Sequence, residues 1–340
     1  MIERPTRDVA LVCTVLNEVN AIPDLMRGIA EQTVRPREVI VVDGGSRDGT
    51  QLHVEWWHGR LGCPLRLIER DGANISAGRN AGIAAARFPI VAITDAGVQL
   101  DARWLERITE PFADDAVAVS AGFFVAESRS LFEYANGATT LPDVAEINPA
   151  TFLPSSRSVA VRKEVWEQVG GYPEWLDYCE DVVFDLAVRD AGQRMQFMPD
   201  AIVRFRPRSS LRAFWHQYFR YARGDGKAGL WPKRYAIRYL TYGGVLGLIL
   251  AGKRGAPAWP IAVVAAALYL LQPYKRLTRT FPPLAPTGRT LAVALIPLIR
   301  AVGDIAKMCG YPVGLMWRLR RHGFGWTWRD AAPSIPTDAD

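Results

Sequence analysis

The sequence predicts an α/β domain built on a mainly parallel sheet, followed by a helical, basic and apolar C-terminal region. Short, almost wholly apolar runs alternate with helically spaced segments over the first hundred residues, the pattern of strands buried on both faces and their connecting helices. Polar clusters stand where those runs end. The charge also divides: residues 1–200 hold 19 Lys/Arg against 30 Asp/Glu, a balance of −11, whereas residues 201–340 hold 22 against 5, a balance of +17. An acidic globular part followed by a basic, aromatic one points to contact with an anionic surface.

Taken in order, Val9 to Val15 (VALVCTV) reads as the first strand. Ile22, Leu25, Met26 and Ile29 follow at helical spacing within about Ala21 to Gln32. Glu38 to Val42 (EVIVV) is a second strand, ending at Asp43-Gly44-Gly45-Ser46. Leu65 to Ile68 is a third, Ile75 to Arg87 an Ala-rich helix, and Ile90 to Thr94 (IVAIT) a fourth strand ending at Asp95. Ligands of such sheets bind at the carboxyl ends of the strands. The clusters Asn17-Glu18, Asp43 to Ser46 and Asp95 to Gly97 lie at those ends, so a binding site is expected there.

From about Ala236 the character changes. Residues 239–252 are uncharged and mostly apolar, and 256–274 are uncharged over a length that would reach ~28 Å as a helix, close to a bilayer core. Residues 290–317 are apolar but broken by Arg300, Asp304 and Lys307, which suits an interfacial helix. The apolar runs favour lipid over nucleic acid as the anionic surface, and the flanking Lys/Arg and aromatic ends suit an interface, with buried helices of a soluble domain as the other reading. The N-terminal residues lack an apolar h-region, so no secretory signal is expected and the globular part is placed on the cytoplasmic side. Four scattered cysteines and four histidines form no metal spacing or disulfide framework.

The ordered series VCTVLNE, VIVVDGGSRDGT, AGRNAGIAAA, ITDAG, SVAVRKEVWEQVGGYPE and EDVVFDLAVRDAG resembles glycosyltransferase family 2, whose fold is GT-A, over about residues 8–225. The resemblance implies a GT-A nucleotide-sugar-binding domain over residues 6–225 and a membrane-attachment region over 226–330. It further implies transfer of a sugar, with inversion, from a nucleoside diphosphate sugar to a lipid-linked or cell-envelope glycan acceptor.

Residue by residue, Asp43 matches the base-binding aspartate, with Ser46 beside it, although both also suit capping of the next helix. Asn17 and Glu18 look like the nucleoside-facing pair. Arg79 and Asn80, at the start of an Ala-rich helix, match the segment near the donor phosphates, where a guanidinium suits negative charge. Asp95 matches the first acid of the DxD motif, which holds Mg²⁺ or Mn²⁺ against a diphosphate; the third place is Gly97, and Asp101 is a candidate helper. Glu180 and Asp181 match the acidic pair whose aspartate is the general base. Asp185 is read as pairing with Arg189 at i+4. Ser155 and Arg157 lie in the loop that shapes the sugar or acceptor pocket. Arg220 and Arg223 look like the late arginines that grip the diphosphate.

Two departures, Gly44 where family members carry Asp and Gly97 in place of the second DxD acid, leave room for a catalytically idle membrane adaptor on the same fold. A dinucleotide-binding oxidoreductase is disfavoured, because LNEVNA and not GxGxxG follows the first strand.

Overall fold

The computed structural model describes residues 5–253, 259–280 and 285–335. They form two compact units, one from residues 1–127, 144–206 and 331–340, the other from 128–143 and 207–330.

The first unit follows the order β1 (Thr6–Val15), α1 (Ile22–Ala30), β2 (Arg35–Asp43), α2 (Thr50–Glu55), β3 (Leu65–Glu69), α3 (Ile75–Ala85), β4 (Ile90–Asp95), β5 (Val98–Leu100), α4 (Trp104–Thr109) and β6 (Val117–Ala126). After α5 (Leu131–Thr140), which belongs to the second unit, come β7 (Val159–Arg162), α6 (Lys163–Gln168), α7 (Glu180–Asp190) and β8 (Arg194–Phe205). The strands form one eight-stranded sheet in the order β3-β2-β1-β4-β7-β6-β8-β5. The half from β3 to β4 is parallel, as the apolar runs predict. The other half is mixed: β7 runs antiparallel to both β4 and β6, and β8 is parallel to β6.

Alternation along the strands explains why the expected runs are apolar throughout. Val9, Leu11, Cys13 and Val15 of β1 face one core with Ile22, Leu25, Met26 and Ile29 of α1. Ala10 and Val12 face the other, with Ile83, Trp166, Tyr172 and Phe184. Parallel register then sets the site: Val15 is opposite Asp43, and Thr14 is opposite Asp95, so both acids reach the same edge of the sheet. Helix α3 lies close on this edge because Gly78 and Gly82 carry no side chain. A Cβ would stand 2.9 Å from Thr14 Cγ2 at Gly78 and 2.5 Å from Val12 Cγ1 at Gly82. The Asn74 side chain caps α3 by accepting from Ala77 N–H at 2.9 Å.

The second unit contains α5, α8 (Leu211–Ala228), α9 (Pro232–Lys253), α10 (Trp259–Thr280) and α11 (Pro286–His322). Helix α8, placed by the sequence reading at the end of the first domain, falls in this unit. It meets α11 backbone to backbone: a Cβ on Gly310 would stand 2.2 Å from the Phe219 carbonyl oxygen, and one on Gly314 2.0 Å from that of Arg223. Asp304 of α11 is buried among Arg238 at 2.9 Å, the Tyr242 hydroxyl at 3.2 Å and the Tyr269 hydroxyl.

The expected spanning helix requires correction. Among the described residues no helix is long and apolar enough to cross a membrane. Residues 256–258 of the expected segment lie outside the described residues. The uncharged part that is described, Trp259 to Tyr274, covers ~24 Å as a helix, short of a ~30 Å core, before Lys275 and Arg276. Helices α9 and α10 nevertheless turn large apolar side chains outward, with Leu240 at 75% and Leu268 at 67% exposure.

Candidate active site

The first cluster joins the ends of β1 and β2. Asp43 is fully buried, and its carboxylate accepts from Ser46 N–H at 2.9 Å, the Ser46 hydroxyl, Gln51 Nε2 at 2.6 Å and Gly45 N–H at 3.3 Å. Ser46 Oγ in turn accepts from Asn17 N–H at 2.7 Å, and Asn17 Oδ1 accepts from Arg47 N–H at 2.9 Å. This network holds Asn17 at a left-handed φ of 55° and lets Gly45 turn at 101°. Glu18 donates its backbone N–H to Thr50 Oγ1 at 2.9 Å. The sequence motif therefore brings Asn17, Glu18, Asp43 and Ser46 together. Asp43 holds the turn after β2, its buried carboxylate met by four donors. Asn17 and half-buried Glu18 are the outward members.

A second cluster lies at the end of β4. Arg79 is 2% exposed; its Nη1 donates to Glu180 Oε1 at 2.7 Å and its Nη2 to Asp95 Oδ1 at 3.0 Å. The guanidinium also lies 5.4 Å from the centre of the Tyr172 ring. Burial opposes its charge, but Asp95 and Glu180 outweigh burial and hold it protonated. Arg79 is thus the internal counter-ion of the acids, not an outward phosphate ligand. Asn80 also needs correction. Its amide donates to Tyr172 O at 2.8 Å and Glu174 Oε1 at 2.9 Å, and its oxygen accepts from Trp166 Nε1 and Tyr172 N–H. All four hydrogen-bonding positions are occupied, so Asn80 fastens α3 to the 172–174 segment.

Glu180 and Asp181 open α7, after Cys179 at a left-handed φ of 66°. Glu180 is buried, and burial, reinforced by Asp181, raises its pKa against the pull of Arg79. Asp181 is half-buried on the first helical turn, where the helix dipole favours a carboxylate. Asp185 does not form the expected pair with Arg189, which reaches Thr151 O at 3.3 Å instead. Asp185 is 2% exposed, and its Oδ2 has no hydrogen-bond partner. Burial and then Asp181 raise its pKa well above the usual carboxylate value. Tyr172 stacks on Phe184 and meets Ser156 Oγ at 3.0 Å. The GGYPE motif contains Tyr172 but gives no sign of its place under Arg79.

Arg157 approaches Asp95 from the other side, Nε to Oδ2 at 3.7 Å, while Nη1 donates to Ser155 Oγ at 3.3 Å. Its guanidinium lies 5.1 Å from the Phe205 ring centre, and 27% of its side chain is exposed. The residues do not fit the expected metal. Both Asp95 oxygens face guanidiniums, and Gly97 supplies no second carboxylate beside it. Asp101 lies in the turn before α4, where its carboxylate accepts from Arg103 N–H at 3.1 Å. In the second unit, Arg220 is exposed and Arg223 half-buried on α8.

The chain is similar to known glycosyltransferases in sequence and in fold. Curated relatives include glycosyltransferase AglE of Haloferax volcanii, 29% identical over 57% of this chain and 65% of that protein. The O-antigen chain rhamnosyltransferase RfbN of Salmonella typhimurium is 22% identical over 62% of this chain and 70% of its own length. The pre-mycofactocin glycosyltransferase of Mycobacterium tuberculosis is 26% identical over 61% of this chain, which spans only 44% of that protein. In fold, the chain is similar to the mannosyltransferase PcManGT of Pyrobaculum calidifontis, solved with GDP-Man and Mn²⁺, at a TM-score of 0.55 over 93% of this chain and 88% of that one, with 21% identity. The α/β fold is accordingly GT-A-like, with C-terminal helices appended. The Glycosyl transferase family 2 model matches residues 11–163.

Proposed function

We propose that this protein is an inverting glycosyltransferase that moves a sugar from a nucleoside diphosphate sugar to a hydroxyl acceptor. The observation that carries the reading is Asp181, half-buried on the first turn of α7, next to a Glu180 that is tied through Arg79 to Asp95. In the reaction the acceptor oxygen attacks the anomeric carbon as the bond from that carbon to the diphosphate oxygen breaks. Asp181 takes the hydroxyl proton, and negative charge develops on the leaving nucleotide. Asn17 and Glu18 are assigned to the nucleoside, and Ser155 and Arg157 to the sugar-phosphate side. A divalent metal at Asp95 is not part of this reading, because both carboxylate oxygens already face guanidiniums.

The acceptor is assigned to lipid-linked or cell-envelope glycans. A relative named for O-antigen chain rhamnosyl transfer supports that class. So do the outward Leu240, Leu246, Ile261, Val263 and Leu268 of α9 and α10, which suit insertion into a membrane surface without crossing it. On this reading the catalytic unit works on the cytoplasmic face. The test is release of nucleoside diphosphate from a panel of nucleotide sugars by detergent-solubilised full chain supplied with lipid extract. Release from one donor supports the enzyme; release from none favours the idle adaptor.

A further inference from the structure

We propose that the Arg157 guanidinium, and not a divalent cation, neutralises the donor diphosphate beside Asp95. The inference rests on the nucleotide-sugar reading above and concerns how that site meets the donor's charge. Three features carry it.

Asp95, which the DxD pattern offers as a metal ligand, is bracketed: Oδ1 lies 3.0 Å from Arg79 Nη2 and Oδ2 3.7 Å from Arg157 Nε. A dication there would have to displace a guanidinium and stand against the repulsion of both. The second DxD acid is absent, and the space it would occupy is open, since nothing lies within 4 Å of a Cβ built on Gly97. The site therefore lacks a ligand and not merely room for one. Finally, Arg157 stands beside Asp95 with 27% of its side chain exposed. Asp95, Ser155 Oγ and the Phe205 ring fix its plane while part of its side chain faces solvent. Thr94 Oγ1 anchors its backbone carbonyl at 2.9 Å. A guanidinium fork matches two phosphate oxygens and carries its charge at every working pH. Arg79 meets Asp95 and Glu180 from within the fold, whereas Arg157 meets Asp95 with its side chain partly exposed.

The test is titration calorimetry of UDP, GDP, dTDP and CDP into the full chain, in Mn²⁺ and in EDTA, on wild type, Arg157→Ala and the double variant Gly97→Asp/Arg157→Ala. Wild type is expected to bind one nucleotide with affinities within about threefold in the two buffers. Arg157→Ala should weaken binding in EDTA by about 10- to 100-fold, the loss of a charge-assisted contact. The double variant, with the second acid restored in open space, should recover binding in Mn²⁺ only. Wild-type binding that needs Mn²⁺, or an Arg157→Ala protein that binds in EDTA as wild type does, would overturn this inference and leave the transferase reading standing. Absence of binding by any nucleotide in either buffer would overturn both. Should Arg157→Ala fail to fold, the wild-type comparison between the two buffers decides alone.

Discussion

Arg79 and Glu180 are joined at 2.7 Å with both side chains buried, although 101 residues separate them in the chain. This pair ties the start of α3 to the start of α7, and the second arm of Arg79, to Asp95, adds the end of β4. The proposed base, Asp181, follows Glu180 by one residue, so its position depends on that tie.

Removing the tie should cost stability as well as activity. Arg79→Ala leaves Glu180 buried without its cation, and truncation of one partner in a buried pair costs ~3–5 kcal/mol. Arg79→Lys should rescue little, because an ammonium cannot bridge two carboxylates in the same plane. Urea unfolding of the three proteins checks both statements.

Asp185 makes stability depend on pH with a definite sign. Its folded pKa is raised by burial and by Asp181, so the folded state holds the proton more tightly than the unfolded chain. Below about pH 4 both states are protonated and the group costs nothing. As pH rises the unfolded chain releases the proton first, and stability falls by up to ~1.4 kcal/mol per pH unit until the folded group titrates. Asp185→Asn should flatten that slope, so its melting temperature relative to wild type rises from pH 4 to pH 7. Parallel melting curves would contradict the assignment.

The crossing of α8 and α11 admits no side chain where the backbones meet. Gly314→Ala would set a Cβ 2.0 Å from the Arg223 carbonyl oxygen and 2.7 Å from Lys227 N. A loss of ~1–3 kcal/mol is expected, as for overpacking. Gly243→Ala, in α9 with nothing within 4 Å, should be neutral or stabilise by up to ~1 kcal/mol through helix propensity. Thermal unfolding distinguishes the two.

Outward apolar residues on α9 and α10 give a fourth expectation. The full chain should float with anionic liposomes, and Leu240→Asp with Leu268→Asp should reduce the bound fraction severalfold while the protein stays folded. Retention of binding by the double variant would remove these helices from the membrane account.

The parallel half of the fold was legible because buried strands there need apolar residues on both faces, and the helix over Ile22 to Ile29 because its spacing is regular. Strands β6 and β8 escaped, since they pair across 70 or more residues, and β8 mixes polar with apolar positions. Among site residues, the sequence offered Arg79, Asp95 and Glu180 in three separate motifs, and only the structure joins them through the Arg79 guanidinium. Asp43 and Asn80 have functional identities and structural partners, and only three-dimensional accounting of donors and acceptors separates the two. Asp185 was paired with Arg189 by helical spacing alone, whereas tertiary packing buries the acid and lets the arginine reach Thr151.

The central claim is that Asp181 is the base of a sugar transfer. Its most direct test is turnover of the nucleotide sugar that the wild type accepts, measured beside calorimetric binding of the matching nucleoside diphosphate, for wild type and Asp181→Asn. The account predicts a ~10²- to 10⁴-fold loss of turnover with nucleotide affinity unchanged. Undiminished turnover by Asp181→Asn would contradict it.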